Sequence, residues 1–136
     1  MLTFQSHEEV VSEALLFIEG SLRKTTELVD STITAKKLFF QLFNLKLGRL
    51  EHEEMHIALL NHKHALIATF CVGKGTIDQC PVYIREIAKL ALAHNASAVV
   101  MAHNHPSGVG FPSDDDIKIT IRVKDALALI NVLVLD

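Results

Sequence analysis

Two stretches of this chain carry side chains that could hold a metal ion. In "EHEEMH", residues 51–56, His52, Glu53 and His56 spell H-E-x-x-H. On a helix, positions i and i+4 share a face, so two imidazoles there could grip one ion while the glutamate works on a bound water. In "AHNHPSGVGFPSDDD", residues 102–116, His103, His105 and Asp116 offer a different set. Two imidazoles and a carboxylate leave a fourth position for water, which is the ligand set of an open, reactive zinc centre.

The elements that must position these residues separate the two cases. After His56 the chain runs "IALLNHKHALIATF". The apolar runs "MHIALLN" and "ALIATFCV" flank the polar tetrad Asn61-His62-Lys63-His64, which reads as a β-hairpin. In a strand, His52 and His56 would share a face about 13 Å apart, too far for one ion with bonds near 2 Å. With eight His in the chain, a match to three fixed positions arises by chance at roughly a few per cent. The helical arrangement stays as the alternative. His62 and His64 make another H-x-H, but they fall in the hairpin turn with no carboxylate at matching spacing.

"HNH" follows the continuous apolar run "SAVVMA", expected to be a buried strand. His103 and His105 then end a strand at period-2 spacing and project to one side. Pro106-Ser107-Gly108 turns the chain, and Asp116 can return as a third ligand. Ser113 and Asp116 also read as a capping box in which Asp replaces Glu, at the start of a helix. The two readings of Asp116 are compatible. Asp114 and Asp115 read as dipole partners or solvated charges.

The remaining pattern fits α/β layers. Val10, Val11, Ala14, Leu15 and Ile18 predict a helix ended by Gly20, and a second helix starts near Ser31–Thr34, carries Leu38, Phe39, Leu42 and Phe43, and stops at Gly48. Residues 1–48 are thus expected to be a helical lead-in, and 49–136 the main domain. "PVYIREIAKLALAHN" predicts a helix with Pro81 in its first turn and a stripe of Tyr83, Ile84, Ile87, Leu90 and Ala91. A helix beginning near Ser113 and a strand at "NVLVLD" complete the chain.

Bulk properties narrow the classes. The 136 residues are 49% hydrophobic and 21% charged, as in an ordinary globular domain. No apolar run approaches the roughly 18–20 residues of a membrane span, and "MLTFQSHEEVV" is not a signal peptide. Cys71 and Cys80 form no C-x-x-C pair, which fits a reducing cytoplasm. Net charge is −3 with 13 scattered Lys and Arg, so the chain has no clear nucleic-acid footprint.

With these residues in view, the chain resembles a known family. His103-x-His105, seven residues, Ser113, two residues, Asp116 is similar to the JAB/JAMM (MPN+) metallopeptidase motif. "GTID", "REIAKLALAHNASAVVMAHNHPSG" and "PSDDD" resemble RadC-like proteins, over roughly residues 50–136. The resemblance implies a JAB/MPN fold, a mixed sheet flanked by helices and akin to cytidine deaminases. The deaminase signature, H-x-E with P-C-x-x-C, is missing, which disfavours base deamination. The resemblance further implies Zn2+ held by His103, His105 and Asp116, with Glu53 as general base and Ser113 as donor to the oxyanion. Glu54 is the alternative base, one register step away, and His52 and His56 become incidental.

The implied function is a zinc hydrolase of JAMM type acting on a peptide or protein substrate, isopeptide bonds included. The alternative is a RadC factor of DNA repair and DNA metabolism, nucleolytic or a non-catalytic interaction module. Several features depart from the relatives. Asn104 stands where eukaryotic JAMM enzymes have Ser or Thr. Ile84-Arg85-Glu86 replaces Pro-Arg-Glu. The helix-hairpin-helix region is missing, and the chain stops at Asp136, before a further His and an apolar strand.

Overall fold

The polar tetrad after "MHIALL" does form a turn, and Asn61 builds it. Its Oδ1 accepts from the amides of Lys63 at 2.9 Å and Ala65 at 3.0 Å, while His64 takes a φ of 61° in the left-handed region. The computed structural model describes residues 41–43, 52–75, 81–104 and 114–135. In it the turn joins strand β1 (Glu54–Leu60) to strand β2 (Leu66–Lys74) as an antiparallel hairpin. The pairing is interrupted twice, between Leu59 and Leu60 and between Met55 and His56. Each interruption inserts one extra residue into β2, first Ile67 and then Val72, as β-bulges do.

Helix α1 (Ile84–Ala93) buries Ile87 and Ala91, with Ile84 and Ala88 beside them, the stripe expected of a helix lying on a core. It begins later than the sequence predicts. The Tyr83 carbonyl accepts the first intrahelical bonds, from Glu86 and Ile87, so Pro81 stands outside the helix and not in its first turn. Helix α2 (Asp114–Ala128) opens on Asp114, Asp115 and Asp116, where the helix dipole favours negative charge, and buries Val123 and Leu127. Both helices end in one way. Asn95 and Asn131 adopt φ of 51° and 58°, and the amides that follow, of Ala96 and Val132, return to the carbonyls of Ala91 and Leu127. Each stop feeds directly into a strand, β3 (Ala98–His103) and β4 (Leu133–Leu135).

The four strands form one sheet in the order β2-β1-β3-β4. β1 runs antiparallel to both its neighbours and β3 parallel to β4, so the fold is α/β with a mixed sheet flanked by helices. Strand alternation divides the core. Ile57, Leu59, Val99 and Val134 meet Ile87, Ala91, Val123 and Leu127 on the α1/α2 side. Ala58, Leu60, Leu66 and Ala98 meet Leu42 and Phe43 on the opposite side. Residues 41–43 are helical, and Leu42 is fully buried. The rest of the two expected lead-in helices lies outside the described residues. No helix among the described residues is long and apolar enough to cross a membrane.

Candidate functional site

Glu53 and Glu54 are consecutive residues at the head of β1, and the sheet sends them to opposite faces. Ile57 pairs with Met101 and Met55 with His103, and Ile57 and Met101 face the helices. Alternation therefore puts Glu53 and His103 on the α1/α2 side, and Glu54 and His56 on the side of Leu42 and Phe43.

On the helix side, His103 sits between two carboxylates. Its Nδ1 lies 3.1 Å from Asp116 Oδ1 and its Nε2 lies 3.6 Å from Glu53 Oε2. All three side chains are largely withdrawn from solvent. Asp116 reaches His103 because it is the third residue of α2, whose N-terminus packs at the end of β3. Ligand atoms on a tetrahedral ion with bonds near 2 Å stand roughly 3.3 Å apart, so the spacing of His103 and Asp116 suits two ligands of one zinc. Glu53 approaches the same ring at its other nitrogen, Nε2. His105 and Ser113 lie outside the described residues. The structure thus brings together Glu53, His103 and Asp116 and describes no geometry for the other two expected members.

The backbone that carries Glu53 is held on both sides. Asn104 Oδ1 accepts from the Glu54 amide at 2.7 Å, and Asn104 Nδ2 donates to the His52 carbonyl at 2.9 Å. The Gly75 amide donates to the Glu53 carbonyl at 2.9 Å. Asn104, which the motif treats as the residue between two histidines, is thus a clamp from the end of β3 onto residues 52–54.

On the opposite face, Glu54 is buried and its carboxylate gathers three partners. His52 Nε2 donates to Oε2 at 2.5 Å and His56 Nε2 to Oε1 at 2.8 Å, and Cys71 Sγ is 3.4 Å from Oε1. Burial opposes charge on Glu54, but the bonds from His56, His52 and Cys71 outweigh it and hold the carboxyl below its ordinary range. Burial, and then the bond to Glu54, pushes the Cys71 thiol up. Glu54, the alternative base, therefore stands away from His103 with its oxygens engaged elsewhere.

H-E-x-x-H does not form a helix, as the hairpin pattern predicts. The sequence expectation is that, in a strand, His52 and His56 lie too far apart to hold one ion. His52 precedes β1 in a bend, so strand spacing does not govern it, and both rings close on the carboxylate between them. Sequence spacing alone does not single out Cys71 or Asn104 as site residues. Cys71 is brought opposite His56 by the hairpin register, and the one signal for it was a thiol on the partner strand of a histidine-bearing one.

Comparison with known proteins gives a consistent picture. The family described as RadC-like JAB domain matches residues 33–136. The chain is 48% identical over 92 residues to a UPF0758 protein of Aromatoleum aromaticum, covering 68% of this chain and 41% of the relative. It is 42% identical over 121 residues to one of Chromohalobacter salexigens, covering 88% and 54%. It is 36% identical over 133 residues to one of Saccharophagus degradans, covering 98% and 57%. The chain spans about half the length of these curated relatives. With a match that takes in both the sheet and the helix bearing Asp116, this chain belongs to the RadC-like JAB domain family.

Proposed function

We propose that this chain is a zinc-dependent hydrolase that cleaves peptide or isopeptide bonds. The observation that carries the reading is His103 held between Asp116 and Glu53 at the end of β3. His103 and Asp116, with His105, would hold the ion. Zinc there supplies a Lewis acid that lowers the pKa of water to about 7. Glu53, 3.6 Å from His103 Nε2, would accept a proton from the attacking water and deliver it to the departing amine. Ser113 donates its single O–H to the developing oxyanion. The Asn104 clamp and the Gly75 amide keep the Glu53 backbone from drifting while the carboxylate accepts and releases a proton.

Amide hydrolysis suits these residues better than phosphodiester cleavage. Phosphoryl chemistry calls for cationic clamps on the phosphate. The segment "HNHPSGVGFPSDDD" has no Lys or Arg and three consecutive Asp, which repel a nucleic-acid backbone at the point of reaction. The test is to incubate zinc-loaded protein with a peptide library, an isopeptide-linked substrate, and single- and double-stranded DNA, with Glu53→Gln as control. Peptide or isopeptide cleavage lost in Glu53→Gln is the expected result. DNA cleavage lost in Glu53→Gln, with no amide cut, overturns the reading in favour of a nucleolytic RadC factor.

A further inference from the structure

The cluster behind the sheet is unused by the chemistry just described, and its donors point to a ligand of their own. One ligand atom each of Glu54, His56 and Cys71 lie within 4.8 Å of one another, and Glu54 Oε1 is 2.8 Å from His56 Nε2 and 3.4 Å from Cys71 Sγ. They come from two strands locked in a hairpin, with His56 paired directly to Cys71. We propose that Glu54, His56 and Cys71 form a second metal site, on the sheet face opposite His103, that takes a borderline-soft divalent cation, zinc foremost.

Each part of the geometry suits that ion. Zinc accepts imidazole nitrogen, thiolate sulfur and carboxylate oxygen together, with bonds of about 2.0–2.3 Å. Donors on such an ion stand roughly 3.3–3.8 Å apart, so the cluster needs only a small adjustment, His56 and Glu54 parting slightly as Cys71 closes in. Cys71 allows it, because its side chain is exposed on β2, at one end of the strand order. A thiolate and a carboxylate bring two negative charges, which balance a dication. The mixed N, O and S set disfavours magnesium and calcium, which prefer oxygen alone. Glu54 would bind through Oε1, while His52 keeps its bond to Oε2 and orients the carboxylate from behind. Ligating carboxylates are commonly held by an outer hydrogen bond of this kind. The ion would join β1 to β2 beside the Met55/His56 bulge, where the ladder is interrupted.

The test titrates cobalt(II) into the chelator-treated 136-residue chain and follows absorbance. A thiolate on cobalt gives a charge-transfer band in the near ultraviolet, a signature that no site without sulfur produces. The band should saturate by about two cobalt per chain, the His103 cluster taking one of them without sulfur, and vanish in Cys71→Ser. It should persist in Cys80→Ser and in His103→Ala, so it survives even if the helix-side zinc reading fails. His52→Ala should weaken cobalt binding about 10- to 100-fold, the scale for loss of an outer partner. Cys71 is exposed, so Cys71→Ser leaves the core packing untouched, and circular dichroism verifies the fold. A wild-type chain that shows no charge-transfer band, or a band that follows Cys80 rather than Cys71, overturns the proposal.

Discussion

Replacing Asn104 with Ala should destabilise the chain by about 2 kcal/mol. The figure comes from two bonds of unequal weight. The bond from the Glu54 amide, 2.7 Å long, reaches a residue that is only 8% exposed, so its loss strands a buried N–H. Such a group costs about 1–3 kcal/mol. The bond to the His52 carbonyl is exposed, and water replaces it for roughly 0.5 kcal/mol or less. Urea unfolding is the assay, followed by circular dichroism, because the chain has one Tyr and no Trp for fluorescence. With a slope of about 2 kcal/mol/M, the midpoint should fall by about 1 M at unchanged slope. At roughly 4 °C per kcal/mol for this size, melting should drop by about 8 °C. A midpoint within about 0.2 M of wild type would show that water satisfies the Glu54 amide and that Asn104 clamps nothing.

Other substitutions separate the parts of the two clusters. His103→Ala should lose one zinc equivalent, measured by elemental analysis after dialysis, while the Cys71-dependent cobalt band remains. Glu53→Gln should keep its zinc yet lose amide hydrolysis by at least about 10²-fold, because the glutamate handles a proton and not the ion. Leu42→Ala should cost about 3 kcal/mol in urea unfolding, since Leu42 is fully buried against Ala58, Leu60 and Ala98; a change below about 1 kcal/mol would mean that this helical segment contributes little to the sheet.

The features that could be read from the sequence are the local ones. The hairpin shows as two apolar runs about a polar tetrad, and α1 as a stripe at helical spacing. His103 and Asp116 are 13 residues apart, one at the end of β3 and the other in the first turn of α2, so their meeting follows from spacing. What escaped depends on long-range register. An unbroken hairpin closing at Leu60 and Leu66 would set Phe70 opposite His56 and turn Cys71 to the other face. The extra residue Ile67 shifts the pairing by one, and Cys71 arrives beside Glu54 and His56. Nothing in "LIATFCV" announces that bulge, since every residue in it tolerates a strand. Asn104 was hidden differently. Its partners lie 50 and 52 residues away, and only the pairing of β1 with β3 brings them within reach.

Register also explains how one short segment can serve two clusters. Residues 52–56 supply Glu53 to the His103 side, and Glu54, His56 and His52 to the Cys71 side. Because side chains alternate strictly, a slip of β1 by one residue would exchange the two glutamates, presenting Glu54 to His103 and Glu53 to Cys71. Both clusters would then be miswired, since His56 would leave with its neighbour. Apolar burial resists the slip weakly here, because "MHIALL" is apolar on both faces and either register buries comparable surface. The resistance must come from groups that recognise one backbone position. Asn104 is such a group, bonding the amide of residue 54 and the carbonyl of residue 52, and Gly75 bonds the carbonyl of residue 53. A metal joining Glu54 and His56 to Cys71 would add a third lock, on the face away from the His103 cluster, and would fix the placement of Glu53 without touching it.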